Sequence, residues 1–323
     1  MDLALERLAD RMHVVSLPLA TRFRGVEHRE VALFEGAAGW GEWSPFLEYE
    51  PAEAARWLAA ALEDADVARP EPLRERVPVN ATLPAVAPDA VAAVLARYDG
   101  CRTVKVKVAE QGQTLDDDIA RVAEVRALLP DARIRLDANG GWGVDMAETA
   151  ARALERFDLE YLEQPCATVP ELAELRTRLH RLAIPIAADE SVRKAEDPLA
   201  VARAGAADVV VVKAQPLGGL RAALAIVAEA GLPAVVSSAL DSSVGLSLGA
   251  ALAAALPELP YDCGLGTGAL LTADVSAEPL VPVGGSIPAA RVAPDSALLR
   301  AHAASPERVA HWRARLADAL PHL

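Results

Sequence analysis

Between residues 77 and 268, short runs of apolar residues alternate with longer segments in which apolar residues recur every three or four positions. The short runs predict buried β-strands, and the longer segments, such as DDDIARVAEVRALLP and GGLRAALAIVAEAGLP, predict helices bounded by Gly or Pro. Strands that alternate with helices in this way indicate βαβ units and a parallel sheet. The predicted strands are VPVNATL (77–83), TVKVKVA (103–109), RIRLDAN (133–139), LEYLEQP (159–165), IPIAADES (184–191), DVVVVKAQ (208–215), AVVSSAL (234–240) and YDCGLGTG (261–268).

A polar residue recurs near the C-terminal end of each predicted strand. Successive positions are 24 to 30 residues apart, and they are Asn80, Lys107, Asp137, Glu163, Asp189, Lys213, Ser237 and Cys263. Eight such units fit an α/β fold, a (β/α)8 barrel of the modified TIM type, whose active sites form at the C-terminal ends of several strands. A doubly wound open sheet is the alternative.

The two ends of the chain do not continue this repeat. RMHVVSLPL and HREVALFEG indicate antiparallel strands, and a helix is predicted over residues 51–64. The tail contains VPVGGSIP and a helix predicted over residues 306–320. We predict that residues 1–75 and 275–323 form a smaller α+β capping domain over the mouth of a barrel made by residues 76–274.

Composition and charge exclude several classes of protein. Apolar residues make up 52% of the 323 positions, which allows a sizeable core. The formal charge of −14, without a cluster of Lys or Arg, argues against a nucleic-acid partner. No apolar run approaches the roughly 18 residues of a membrane span, and the charged opening MDLALERLADR is unlike a signal peptide. We therefore expect a cytoplasmic protein without a nucleic-acid or membrane partner. The oligomeric state does not follow from these features, and we favour a monomer.

Three carboxylates, those of Asp137, Glu163 and Asp189, end three consecutive predicted strands. In a barrel they would converge at the mouth, where unpaired carboxylates repel one another unless a hard divalent cation such as Mg2+ binds between them. The alternative is that each acidic residue caps the helix that follows it. Because strand side chains alternate between faces, only one of Asp189 and Glu190 points inward, and the pattern does not choose between them.

Lys105 and Lys107 lie on one face of their predicted strand, and Lys213 follows four consecutive valines of a central strand. Buried lysines are rare without a partner or a function. A lysine that accepts a proton near neutral pH needs a pKa lowered from about 10.4, and Mg2+ or a like-charged neighbour has this effect. We therefore predict that Lys105 tunes Lys107. The predicted chemistry is removal of a proton next to a carboxylate, with metal and ammonium groups stabilising the developing charge.

Taken together, these motifs resemble the o-succinylbenzoate synthases of the enolase superfamily. The matching segments, in order between residues 39 and 268, are GWGEWSPF, KVKVA, RLDANGGW, YLEQP, ADES, VVVKAQPLGGL, VVSSALDSSVGL and CGLGTG. The resemblance implies a barrel capped by a domain from both chain ends, with Mg2+ as cofactor and Mn2+ as a possible substitute. It also implies a syn elimination of water from 2-succinyl-6-hydroxy-2,4-cyclohexadiene-1-carboxylate, which gives 2-succinylbenzoate in menaquinone biosynthesis.

The same resemblance implies residue roles, position by position. Lys107 would remove the proton alpha to the substrate carboxylate and then protonate the departing hydroxide, with Lys105 as its neighbour. Lys213 would hold the opposite face of the ring by cation–π attraction. We expect residues 19–27, which include TRFRG, to close the site. The implied metal ligands are Asp137, Glu163 and, in preference to Glu190, Asp189. The implied substrate-contacting positions are Asn139, Ser237, Ser238, Gly264 and Gly266.

Other activities remain open on the same residues. An N-acylamino-acid racemase or a dipeptide epimerase needs a base on each face of the alpha carbon, and Lys107 and Lys213 meet that requirement. Cycloisomerases use a similar lysine arrangement. The six histidines lie off the strand ends, which disfavours a histidine base. Outside the enzymes, the alternative is a non-catalytic binding barrel, which does not require buried lysines around three carboxylates.

Overall fold

The computed structural model of the chain describes residues 3–23, 25–194 and 197–323. The strands are β1 (Met12–Phe23), β2 (Val26–Gly36), β3 (Gly39–Trp43), β4 (Arg76–Pro78), β5 (Ala81–Leu83), β6 (Thr103–Lys107), β7 (Arg133–Asp137), β8 (Leu159–Glu163), β9 (Ile186–Ala188), β10 (Val209–Val212), β11 (Ala234–Val236) and β12 (Ser286–Pro288). The helices are α1 (Leu3–Asp10), α2 (Pro51–Asp66), α3 (Val91–Leu95), α4 (Leu115–Leu128), α5 (Val144–Leu154), α6 (Val169–Leu179), α7 (Glu190–Arg193), α8 (Ala200–Arg203), α9 (Leu220–Ala230), α10 (Ser243–Ala255), α11 (Ser296–Ala301) and α12 (Pro306–Ala319). Among the described ranges, no helix is both long and apolar enough to cross a lipid bilayer.

The barrel is built from a parallel sheet in the order β11-β10-β9-β8-β7-β6-β5. Residues 261–268, predicted as an eighth strand, join its two edges only through isolated bridges, from Cys263 to Val79 and from Gly264 to Ser237. Glycine at position 264 permits this bridge, because a Cβ atom there would lie 2.4 Å from Oγ of Ser237. The backbone here approaches the neighbouring strand end more closely than a side chain allows. The predicted barrel is confirmed, and the predicted eighth strand is reduced to parallel bridges at Cys263 and Gly264, before a 3-10 turn begins at Gly266.

The four valines of β10 are buried on two different sides. Val209 and Val211 pack inside the barrel against Tyr161, whereas Val210 and Val212 belong to the large core between the sheet and the surrounding helices. Side chains alternate between the two faces of a strand, so the next inward position after Val211 is that of Lys213. This alternation brings a lysine to the inside of the barrel mouth.

The capping domain combines both ends of the chain. Strands β1, β2 and β3 form an antiparallel sheet, and residues of this sheet, α2 and α12 share one hydrophobic core. The ring of Trp312 on α12 packs edge-on against Trp43 of β3, with 5.2 Å between centroids, and its Nε1 donates a hydrogen bond to Glu30 at 2.8 Å. The predicted α+β cap is confirmed. The domain boundaries stay a prediction. Strand β4 begins directly after the first of them and pairs with β12, which lies in the C-terminal segment assigned to the cap.

Candidate functional site

The C-terminal ends of the barrel strands surround a narrow cleft, and Lys107, Asp137, Asp189 and Lys213 are among the residues that line it. Five adjacent strands each place one charged residue there. Lys107, Asp137 and Glu163 end β6, β7 and β8, and Asp189 and Lys213 directly follow β9 and β10. The first three residues lie side by side in the sheet, because Lys107 pairs with Asp137 and Asp137 pairs with Glu163 on adjacent strands. The structure therefore brings the predicted lysines and carboxylates together at one end of the barrel.

Lys105 and Lys107 both point toward the carboxylates. The Nζ atom of Lys105 lies 2.8 Å from Oε1 of Glu163 and 3.0 Å from Oδ2 of Asp137. The Nζ atom of Lys107 lies 2.6 Å from the same Oδ2 of Asp137. Asp137 thus contacts both lysines, and a single ammonium group stands between two of the predicted metal ligands.

Asp189 lies between two cations of different kinds. Its Oδ2 atom is 2.5 Å from Nζ of Lys213, and its Oδ1 atom is 3.1 Å from Nε of Arg193. The carboxylate of the next residue, Glu190, instead accepts hydrogen bonds from Nη2 of Arg193 at 2.5 Å and from Nδ2 of Asn139 at 3.1 Å. Asp189 rather than Glu190 therefore contacts Lys213.

Burial and the surrounding charges move the carboxylate pKa values apart. Burial raises the pKa of Glu163 to about 7, and the neighbouring Asp137 and Asp189 carboxylates add to the rise. Burial also opposes ionisation of Asp137, but Lys105 and Lys107 outweigh it and hold the pKa well below its ordinary value. At Asp189 burial is outweighed in the same way by lysine and arginine charges, which lower the pKa to about 2. Of the three carboxylates, Glu163 is the one whose ionised form is disfavoured, and a nearby positive charge would favour that form.

The two fully buried lysines shift in opposite directions. Burial would lower the pKa of Lys105, but the Asp137 and Glu163 carboxylates overcome this effect and raise the pKa well above its usual value. Burial lowers the pKa of Lys213, and Asp189 compensates only in part because Arg193 adds a repelling charge nearby. Lys105 is therefore a fixed cation, whereas the ammonium form of Lys213 is less favoured than usual.

The chemistry of the three carboxylates fits a hard divalent cation. All of them offer oxygen ligands, the type that Mg2+ binds, and the raised pKa of Glu163 indicates that added positive charge would stabilise its ionised form. In their present orientations the carboxylates are paired with lysine and arginine nitrogens. No three Asp, Glu, His or Cys side chains in the described part of the chain are arranged to hold a metal ion. The ligand roles therefore stay a prediction, and ion binding would require these carboxylates to exchange ammonium partners for the metal.

Asn139 contacts the predicted base directly. Its backbone has a φ of 47°, in the left-handed region that asparagine tolerates better than most residues. The Oδ1 atom accepts a hydrogen bond from Nζ of Lys107 at 2.6 Å, and the backbone N–H donates to Oδ1 of Asp137 at 3.1 Å. Asn139 thus holds the lysine amine at the cleft, and its contact with substrate stays a prediction.

The other predicted substrate positions differ in how they reach the cleft. Ser237, Ser238 and Gly264 line it together with Thr267, whose hydroxyl lies 2.8 Å from Oγ of Ser238. The Oγ atom of Ser238 also donates to the carbonyl oxygen of Gly264 at 2.7 Å. Gly266 faces Asn80 instead, where a Cβ atom would lie 2.6 Å from the carbonyl oxygen. Packing therefore accounts for glycine at position 266, and its substrate contact stays a prediction.

Of residues 19–27, which we expected to close the site, 19–23 and 25–27 lie where β1 ends and β2 begins, at the tip of their hairpin. The Phe23 ring centre is 5.7 Å from Nζ of Lys107, and Arg22 lines an adjoining recess next to Lys107 and Asn139. Arg24 lies outside the described residues. The tip thus stands beside the predicted base, and its closing role stays a prediction.

Sequence reasoning missed Thr82 and Arg193, both of which line the cleft, whereas Phe23, which also lines it, lies within the predicted segment 19–27. Arg193 carried a local signal, because it follows Asp189 by four residues on a short helix, a spacing at which side chains interact. For Phe23 the sequence indicated the segment but not the contact with Lys107, which depends on the packing of the cap on the barrel. Thr82 follows Asn80 by two residues. Because side chains two apart on a strand share a face, strand alternation predicts that Thr82 points to the same side as Asn80.

Models of two related families match the chain. The enolase C-terminal domain-like family matches residues 89–294, and the enolase N-terminal domain-like family matches residues 14–65. The first match covers most of the barrel, and the second covers most of the N-terminal part of the cap.

Curated relatives align over nearly the whole chain. A protein of Mycobacterium marinum named o-succinylbenzoate synthase is 58% identical over 321 residues, which cover 99% of this chain and 96% of the relative. A protein of the same name from Mycobacterium tuberculosis is 59% identical over 309 residues, which cover 95% of this chain and 93% of the relative.

Solved structures share the architecture at lower identity. A probable mandelate racemase from Alicyclobacillus acidocaldarius superposes with a TM-score of 0.69 at 26% identity, over 91% of this chain and 95% of its own. The muconate lactonizing enzyme of Pseudomonas fluorescens, complexed with muconolactone, superposes with a TM-score of 0.75 at 22% identity, over 91% of this chain and 98% of its own. At the latter identity, the likeness concerns the fold alone.

Proposed function

The chain belongs to the o-succinylbenzoate synthase family of the enolase superfamily, and from that premise we propose that it is a hydro-lyase. The proposed reaction is the syn elimination of water from 2-succinyl-6-hydroxy-2,4-cyclohexadiene-1-carboxylate to give 2-succinylbenzoate, a step of menaquinone biosynthesis. The observation that supports the proposal is the placement of two lysines on either side of three carboxylates. Lys107 and Lys213 stand on β6 and just after β10, with the three strands between them bearing the three carboxylates.

Three side chains of the barrel suit the proposed cofactor. Asp137, Glu163 and Asp189 would hold Mg2+, with Mn2+ as a possible substitute, and the ion would supply positive charge where the substrate carboxylate becomes more negative. Lys105 supplies a second, permanent positive charge beside Asp137 and Glu163, since its pKa is raised well above the usual value. Because Nζ of Lys107 lies 2.6 Å from Oδ2 of Asp137, a substrate carboxylate bound at this site would be close to Lys107.

Lys107 acts as base and then as acid in the proposed reaction. Its neutral amine takes the proton alpha to the substrate carboxylate, and the electron pair of the broken C–H bond moves into the carboxylate. When the pair returns, it forms the last double bond of the aromatic ring as the C–O bond to the hydroxyl breaks. The Lys107 ammonium gives its proton to the departing hydroxide on the same face, so water leaves and the amine is restored.

Lys213 binds the opposite face of the ring as a cation. A cation over an aromatic ring contributes about 0.5–2 kcal/mol, and this attraction grows as the product ring becomes aromatic. Its ion pair with Asp189, at 2.5 Å, supports the protonated form against the burial that lowers its pKa.

A second candidate activity is the racemisation of N-acyl amino acids or the epimerisation of dipeptides. The observation that favours it is the same pair of lysines, since a base on each side of an alpha carbon removes the proton from one face and returns it to the other. In that reaction Lys213 would have to exchange protons, and its lowered pKa makes the neutral form more accessible.

The test is an assay of the purified protein with both substrate classes. Conversion of the cyclohexadiene to 2-succinylbenzoate, followed by ultraviolet absorbance and dependent on Mg2+, is the expected result. Exchange of the alpha proton of N-acyl amino acids with solvent deuterium would add the second activity. A protein that binds these carboxylates and catalyses neither reaction would be a non-catalytic binding barrel, and the proposal would fail.

Location and assembly complete the proposal. We propose that the enzyme acts in the cytoplasm on a small carboxylate, as a monomer, without nucleic-acid or membrane partners. Light scattering coupled to size-exclusion chromatography measures the assembly directly, and a mass of twice the 33.9 kDa chain would contradict the monomer.

A further inference from the structure

Arg193 connects the capping domain to Asp189. Its side chain is only 3% exposed, and each of its guanidinium nitrogens has a different partner. Nε donates to Oδ1 of Asp189 at 3.1 Å, Nη1 donates to the hydroxyl of Tyr49 at 2.9 Å, and Nη2 donates to Oε1 of Glu190 at 2.5 Å. Because the guanidinium group is planar and rigid, these three contacts fix its orientation and that of the Asp189 oxygen it holds.

Tyr49 is in turn held by the C-terminal helix of the cap. Arg315 on α12 donates from Nη2 to the carbonyl oxygens of Phe46 at 2.9 Å and Tyr49 at 3.4 Å. The Tyr49 ring packs against Phe46 and Trp57, with centroids 5.7 Å and 6.0 Å away. The tyrosine hydroxyl therefore sits on a rigid support when it accepts the hydrogen bond from Arg193.

We propose that Arg193 is a positioning residue for Asp189 and that Tyr49 orients Arg193, so that divalent-metal affinity depends on contact between cap and barrel. This inference rests on the proposed role of Asp189 as a metal ligand. Groups that hydrogen-bond a metal-binding carboxylate fix its direction, and their loss typically lowers metal affinity or activity by about 10- to 100-fold. Without Arg193, Asp189 would be free to turn fully toward the ammonium of Lys213.

The sign of the effect separates positioning from simple electrostatics. Arg193 is a positive charge next to the proposed cation site, so its removal by Arg193→Gln would by charge alone strengthen cation binding. Weaker binding in that variant is therefore opposite to the effect of charge and is the result that positioning predicts. Arg193→Lys keeps the charge but lacks the planar fork, so it should not restore the affinity. Tyr49→Phe changes no charge near the site and removes a single hydrogen bond to Arg193.

The experiment measures Mn2+ binding without substrate, by electron paramagnetic resonance titration of the free ion, with thermal unfolding as a check of folding. We expect the Kd for Mn2+ to rise about 10- to 100-fold in Arg193→Gln and Arg193→Lys, and severalfold in Tyr49→Phe. Matched controls are Arg152→Gln, an exposed arginine that pairs with Glu148 on α5, and Tyr261→Phe, at the opposite end of the barrel strands. Both controls should keep the wild-type Kd.

Each outcome decides the matter. An unchanged or lower Kd in a folded Arg193→Gln protein overturns the inference, and so does an unchanged Kd in Tyr49→Phe. If the Arg193 variants do not fold, Tyr49→Phe decides alone. If the wild-type protein binds Mn2+ and dehydrates the cyclohexadiene while the variants match its Kd, only the inference fails. If the wild-type protein binds no Mn2+, both the inference and the proposed metal site fail.

Discussion

The amine of Lys107 lies 2.6 Å from Oδ2 of Asp137, the carboxylate that ends the adjacent strand. The proposed base and a proposed metal ligand are thus direct neighbours, paired in register across β6 and β7. This pairing means that an ion bound by Asp137 would compete with Lys107 for the same oxygen. Metal binding and release of the lysine amine are therefore expected to be linked.

Replacement of Lys107 should separate catalysis from metal binding. Lys107→Met removes the proposed base, so we expect dehydration to fall by at least about 10²- to 10⁴-fold, the usual contribution of a positioned acid or base. Lys107→Arg keeps the positive charge but cannot give up its proton, so it should be equally inactive. Steady-state kinetics and Mn2+ titration test this prediction. Mn2+ affinity should be unchanged or higher in Lys107→Met, because Asp137 loses a competitor, and an active Lys107→Arg protein would contradict the assigned role.

Replacement of Lys213 should have a smaller effect on dehydration. We expect kcat/KM to fall by about 2- to 30-fold in Lys213→Met, the range that corresponds to a cation–π contribution of about 0.5–2 kcal/mol. Racemisation of N-acyl amino acids should be lost altogether, since it needs a second base. Exchange of the alpha proton with deuterium on the Lys107 face should persist. Full dehydration activity in this variant would remove the ring-holding role.

Removal of divalent metal should abolish activity reversibly. Dialysis against a chelator should leave the protein folded but inactive, and either Mg2+ or Mn2+ should restore turnover. An ion that binds only the folded state stabilises it, so the unfolding temperature should rise with Mg2+ concentration. At 100 times the Kd, the free energy of unfolding should be higher by about 2.7 kcal/mol. Glu163→Gln should reduce this shift. Undiminished turnover after chelation would show that the carboxylates serve another purpose.

Glu42 should make stability depend on pH at the contact between cap and barrel. It accepts hydrogen bonds from the backbone of Ser242 and Gly245, both at 3.1 Å, at the start of α10. Burial raises its pKa to about 7, and the nearby Asp241 carboxylate adds to the rise. The folded state therefore binds more protons than the unfolded state between about pH 4.5 and pH 7, so this group's contribution to stability falls as the pH rises through that window.

The matched variant for this prediction is Glu42→Gln, which resembles the protonated side chain. Between pH 5 and pH 8 the wild-type protein should lose about 1–3 kcal/mol more unfolding free energy than the variant. Urea unfolding at a series of pH values measures the difference. Parallel stability curves for the two proteins would mean that Glu42 titrates normally.

The site could be predicted from sequence where it depends on strand periodicity. Lys105 and Lys107 are two residues apart, and so are Val209, Val211 and Lys213. Because alternate side chains on a strand share a face, the inward orientation of these lysines follows from the sequence. The short extent of the eighth strand could not be predicted. In YDCGLGTG the bridges are at Cys263 and Gly264 and a 3-10 turn begins at Gly266, which depends on how this segment meets both edges of the sheet.

The linear order of residues was enough to bring three lysines and three carboxylates to one end of the barrel, because parallel strands with helical connections have all their C-terminal ends on the same side. It could not reveal that Tyr49 and Arg193, 144 positions apart, share a hydrogen bond, or that Phe23 stands beside Lys107. Those contacts depend on how the cap packs against the barrel. Periodicity within a strand is a local property, whereas docking between distant segments is decided by the fit of two assembled surfaces.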